Sequence, residues 1–129
     1  MTTSYRLYDD RRDDFEARIR ILTEEEGGRN YPPYNGIRWD FRYATGENSK
    51  VCFMLYPDFY YPETGDSWRE MPVTIGEWLF ARMYCIVPET RIRVHQKQVR
   101  PGTSFYCVEG NRIVAEGTVT RITGLFEER

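Results

Sequence analysis

Apolar and polar side chains alternate with a period of two through most of this chain, and that restricts the fold more than any other feature. Phe15, Ala17, Ile19 and Ile21 fall on one side of an extended segment while Glu16, Arg18 and Arg20 take the other. A strand with one face in a core and one in water reads this way. Ile37, Trp39, Phe41 and Tyr43 alternate with Arg38, Asp40 and Arg42 in the same manner. Segments 51–56 and 77–87 are more continuously apolar and read as strands covered on both faces or lining a barrel interior. Further strands are predicted over 91–99, 104–109 and 112–122. In the last, Ile113, Ala115, Gly117 and Val119 share a face but Ile122 leaves the register, which predicts a bulge near Thr120.

Turn residues punctuate these segments. Glu26-Gly27-Gly28-Arg29 closes the first strand pattern and Glu109-Gly110-Asn111-Arg112 opens the last, each with glycine or asparagine where the backbone must turn through positive φ. Short strands between Gly, Pro and Asn signals, with no helical periodicity, predict an all-β fold: a six- or seven-stranded antiparallel β-barrel. Its interior should receive Phe15, Ile19, Ile21, Phe41, Phe53, Phe80 and Val119. At 129 residues there is room for one domain with a real core. We expect it over residues 14–126, preceded by a charged N-terminal leader, 1–13, whose Asp9–Asp14 run compensates its own charge and reads as solvated.

Composition narrows the function. A net charge of −2 argues against a general polyanion binder, although a local basic patch is compatible with it. Met1 to Asp14 lacks the apolar run of a signal peptide, and no segment approaches the ~18 apolar residues of a membrane-spanning helix; a cytoplasmic protein without membrane contact is expected. Cys52, Cys85 and Cys107 lie far apart in apolar stretches without metal-type spacing, so buried, inert thiols are expected. His95 is the only histidine; it reads as an exposed polar side chain with no second ligand near it. Neither a phosphate loop, a nucleophile elbow nor a zinc-protease motif occurs. No catalytic residue, metal, cofactor or nucleotide binding is expected, and the chain reads as a non-enzyme.

Four motifs occur in order: Phe-Glu-Ala-x-Ile-x-Ile-Leu at 15–22, Gly-Gly-Arg at 27–29, Asn35-Gly36-Ile37-Arg38 leading into Phe41, and Gly-x-Arg-x-Val-Ala-x-Gly at 110–117. Over residues 14–125 they resemble domain III, the C-terminal β-barrel, of translation elongation factor Tu. The resemblance implies a stand-alone binding module, because that family keeps its GTPase chemistry in a separate domain. In the family this domain helps hold the T-stem backbone of aminoacyl-tRNA, touches the exchange factor and packs on the GTPase domain. The Gly-Gly-Arg turn that faces RNA is present as Gly27, Gly28 and Arg29. The histidine that follows it in the family is Asn30 here. A Pro-Gln pair is replaced by Trp39 and Asp40, the basic residue before a strand-ending proline by Val87, and an arginine before Glu109-Gly110 by Val108. A carboxylate at Asp40 repels phosphate, so part of the RNA face is lost.

Two longer segments carry the remaining candidate binding residues. The stretch 56–68 holds five aromatic residues, among them Tyr60, Tyr61 and Trp68, which suit a protein interface or a base-stacking platform or a lid over the barrel end. The stretch 88–101 holds Arg91, Arg93, His95 and Lys97 at i, i+2 spacing with Arg100 beyond. On a strand these would project from one face about 6.5 Å apart and could track a phosphate backbone, or blunt an exposed edge. The expected function is binding of a protein or a structured RNA in a translation-linked setting. The alternative is a decoy or immunity-type protein that presents a factor-like surface to a toxin or regulator.

Overall fold

Six strands form one antiparallel sheet in the order β2-β5-β6-β1-β4-β3. The structure, a computed structural model, describes residues 4–129. The strands are β1 Phe15–Ile21, β2 Asp40–Tyr43, β3 Leu55–Tyr60, β4 Trp78–Cys85, β5 Ser104–Glu109 and β6 Arg112–Ile122. The sheet curls into a half-barrel, and its two margins meet where Phe41 N donates to Phe53 O (2.9 Å) and Phe53 N donates to Phe41 O (2.8 Å). Those bonds satisfy edge groups of β2 that would otherwise be open to another strand.

Alternation decides what fills the curl. Phe15, Ala17, Ile19 and Ile21 are all buried, with Glu16, Arg18 and Arg20 partly exposed between them. They meet Phe41, Tyr43, Phe59, Ala81, Met83, Phe105, Cys107 and Val119 in one cluster. Burying a Leu, Ile or Phe side chain stabilises by roughly 1.5–3 kcal/mol, so this inward row is the main source of the fold's stability. Phe105 stacks on Phe41 with centroids 4.5 Å apart and lies on the bare backbone of Gly117, opposite it in β6. A methyl group at position 117 would collide with that ring.

The turns behave as the motifs require. Thr23 caps the short 3₁₀ turn Glu24–Glu26 with a reciprocal Thr23–Glu26 capping box, and Gly27 ends it at φ 94°. Gly110, at φ 61°, opens the two-residue turn between Glu109 and Arg112. The register along β1 moves from Glu16 opposite Arg121 to Ala17 opposite Val119, which leaves Thr120 as the extra residue of a bulge.

Several expectations need correction. The predicted strand 91–99 is part of a helical segment, 88–98, with α-helical ends at Pro88–Thr90 and Gln96–Gln98 around a π turn, Arg91–His95. Its buried residues are Arg91 and His95, one turn apart, and the buried Val99 follows directly in extended backbone, all on the side toward the curl. His95 is thus buried rather than exposed, and its Nδ1 lies 2.6 Å from the Tyr43 hydroxyl. Phe80 faces outward, opposite Arg18 and on the same side of β4 as Arg82 two residues on, while Leu79, beside Ile19, supplies the core contact instead. Cys85 and Cys107 are buried as expected, but Cys52 is exposed, since 51–54 forms a connection into β3 rather than a strand of its own.

The acidic run ahead of β1 is not simply solvated. Asp13 and Asp14 are buried. Upstream, Ser67 N donates to Tyr5 O (2.8 Å), Leu7 N donates to Ser67 Oγ (3.0 Å), and Tyr8 packs on Tyr84 at 4.6 Å. This segment covers the outer face of β3 and β4, which explains why Tyr56, Asp58, Arg82 and Tyr84 are buried on the convex side.

Candidate protein-binding surface

The residues first expected to bind are for the most part engaged by the fold itself. Arg91 donates from Nε to Asp14 Oδ1 (2.9 Å) and from Nη2 to the carbonyls of Gly124 and Glu127, each at 2.8 Å. Arg93 projects into solvent and pairs with Glu89 one turn earlier at 3.0 Å. Arg100 donates to the carbonyls of Val99 (2.7 Å) and Gln96 (3.3 Å) and so caps the helix C-terminus. Lys97 is exposed. On a helix, positions two apart diverge by about 200° while positions four apart share a face, so Arg91 turns inward and only Arg93 and Lys97 remain together in solvent. Arg29 sits between Glu109 Oε1 (3.3 Å) and Pro32 O (3.0 Å), bracing the turn after β1 against the β5–β6 hairpin.

The aromatic stretch is a folded hairpin. Tyr61 N donates to Asp66 O (2.8 Å) and Trp68 N to Phe59 O (2.9 Å). Tyr61 stacks on Trp68 with centroids 4.6 Å apart and donates from its hydroxyl to Glu70. Tyr60 donates to Glu16, and the Arg82 guanidinium lies 4.0 Å above its ring. Burial pushes both phenols up to about 12. Beneath them, Asp58 accepts from Asn35 Nδ2 and Ser67 Oγ, both at 2.8 Å. Burial raises its pKa, opposed by those two donors. Tyr60 lies on the outer face of the sheet beside Phe80, whereas Trp68 packs against the core cluster with Tyr61 stacked on it, and all three are partly covered.

A different set of side chains is free. Tyr31, Tyr34, Met71, Ile75 and Trp78 are 74, 50, 62, 40 and 45% exposed. The first four come from two loops at one end of the half-barrel, 28–37 and 69–77, and Trp78 begins β4 directly after the second. Val73 N donates to Pro33 O (2.9 Å), tying the loops together, and Gly76 N donates to Ile21 O (2.8 Å), fixing the second loop to the end of β1. Val73 is fully buried between them, so its exposed neighbours are held outward by an anchored backbone. Single exposed apolar residues are ordinary on a protein surface, whereas several large ones gathered together mark an interaction site.

The surroundings of this patch are acidic. Glu24, Glu25 and Glu77 are exposed and make no ion pair among the described residues. Thr23 brings the first two close: a Cβ on Gly76 would lie 3.7 Å from Thr23 Cγ2. Arg20, opposite Trp78, is already held by Glu26 Oε2 (2.7 Å) and Glu116 Oε2 (2.6 Å). Those hydrogen bonds from Arg20, with that of the Thr23 backbone, keep the Glu26 carboxyl at about 2.

A cleft of about 930 Å³ opens elsewhere, between residues 10–12, the 88–98 helix and residues 126–129. Its lining mixes four arginines with Asp10, Glu127 and Glu128, and Arg91 and Arg129 are engaged by Asp14. It shows no preference for either sign of charge. No three His, Cys, Asp or Glu side chains converge as a metal set among the described residues, and no helix there is long and apolar enough to cross a membrane. A scan against protein-family models finds none that matches the chain. The exposed patch had no local signal in the sequence; only the loop-to-loop bond at Val73 assembles it.

Proposed function

We propose that this chain is a non-catalytic module that binds a protein through the patch around Ile75 and Trp78. The single observation that carries this reading is that two loops joined by a backbone hydrogen bond at one end of the half-barrel hold Tyr31, Tyr34, Met71 and Ile75 exposed, with Trp78 exposed at the start of β4 beside them. Tyr, Trp and Met are residues that interfaces favour, and their burial by a partner would supply the apolar centre such contacts need. The translation-linked setting, and the likeness to domain III of elongation factor Tu, rest on the strand and turn motifs alone.

A protein partner is favoured over RNA for a physical reason. Arg29, Arg91 and Arg100 already donate within the fold, and unpaired carboxylates border the patch. RNA binding needs free cations to displace counterions from phosphate.

Affinity purification from native cells tests this, with nuclease treatment and a doubly substituted Ile75→Glu, Trp78→Glu variant as control. A protein that stays with the wild type through nuclease treatment and is lost from the variant supports the proposal. Capture that depends on intact RNA, and is unaffected by the variant, overturns it.

A further inference from the structure

We infer that the patch fits a cationic protein surface, one with an apolar centre ringed by lysine or arginine. This rests on the protein-binding reading above and adds the partner's chemistry. The apolar centre is Ile75 and Trp78, with Glu77 between them in the chain and Glu24 and Glu25 following Thr23, which lies against Gly76; all three carboxylates are exposed.

The nearby cations do not neutralise those carboxylates. Arg20 is saturated by Glu26 and Glu116. Arg18 turns down the strand, with its guanidinium 4.2 Å over the Phe80 ring and Nη2 3.5 Å from Trp78 O. Arg29 is paired with Glu109, Arg112 donates to Gly28 O at 3.1 Å, and Arg69 stacks 4.0 Å from the Tyr5 ring. Glu24, Glu25 and Glu77 are therefore the carboxylates here that no cation pairs.

Charge also decides against the other occupants. A second copy docked patch to patch about a twofold axis would oppose the same carboxylates to themselves, and like charges brought together at an interface are costly. Phosphate would meet the same repulsion. A basic surface gains at both distances: its charges steer the encounter, and its apolar centre holds the complex once formed.

Two synthetic probes test the inference: an amphipathic lysine–leucine peptide, and the same peptide with glutamate at every lysine. Each is titrated into the ¹⁵N-labelled chain and followed by amide shifts. The lysine peptide should shift residues 24, 25 and 75–78 and weaken steeply with salt, and the glutamate peptide should leave them unmoved. A Glu24→Gln, Glu25→Gln, Glu77→Gln variant should bind the lysine peptide about tenfold more weakly, the combined effect of three surface charges. Equal binding of both peptides at the patch, or an unchanged affinity of the triple variant, overturns the cationic partner and leaves the protein-binding reading intact. Shifts confined to other regions, or concentration-dependent dimerisation through the patch, overturn it as well. Silence of the patch toward both peptides counts against both readings.

Discussion

Arg91 Nε donates to Asp14 Oδ1 at 2.9 Å, with the two side chains only 6% and 0% exposed, and so ties the 88–98 helix to the residue that leads into β1. Asp14 Oδ2 accepts from Cys85 N at 2.7 Å, which brings the end of β4 to the same carboxylate. An arginine that sequence spacing offers to a phosphate is a fastener of the fold.

Removing one member of a buried ion pair costs about 3–5 kcal/mol where the other is left uncompensated; here Arg129 still meets Asp14 at 2.7 Å, which places the loss toward the lower end. Arg91→Ala should lose stability on that scale in urea unfolding. Arg93→Ala removes only an exposed pair and should stay within about 0.5 kcal/mol of the wild type. Equal, small effects at both positions would contradict the helical placement.

His95 makes stability depend on pH. Burial lowers its pKa to about 4, opposed by the charge of Asp14, against about 6.5 when the chain is unfolded. The folded state thus binds fewer protons in that window. The contribution is fully present above about pH 6.5 and is lost as pH falls toward 4, by about 3 kcal/mol in all. Asp58, whose pKa burial raises, acts the other way, so the informative quantity is a difference. Between pH 6.5 and 4 the wild type should lose more stability than His95→Phe, and parallel curves would refute the assignment.

Gly117 has no room for a side chain because Phe105 lies on its backbone. Gly117→Ala should destabilise by about 1–3 kcal/mol through forced repacking. Pairing it with Phe105→Leu should restore part of the loss, which a double-mutant cycle would read directly.

Much of the sheet was legible because strand parity shows wherever charged residues alternate with apolar ones. Phe15–Ile21 is the clearest case, and the bulge at Thr120 followed from the single mismatch at Ile122. In β4, apolar residues fill both faces and Arg82 alone marks the outer one, which Phe80 shares. The helix escaped for a different reason. Its inward residues, Arg91, His95 and Val99, recur every fourth position, but two of them are polar and do not read as a core face. Pro88 at the first helical position and Pro101-Gly102 beyond the end were the signals present. The candidate surface was not legible at all, because Tyr31 and Ile75 belong to loops that a long-range backbone bond joins.

Hydrogen–deuterium exchange of the chain, alone and bound to its co-purified partner, tests the placement of the contact surface most directly. Protection on binding should appear at residues 22–25 and 71–78, with the 88–98 helix and the 59–68 hairpin unchanged. Protection confined to the helix or the hairpin, with exchange at Ile75 and Trp78 unaltered, would contradict it.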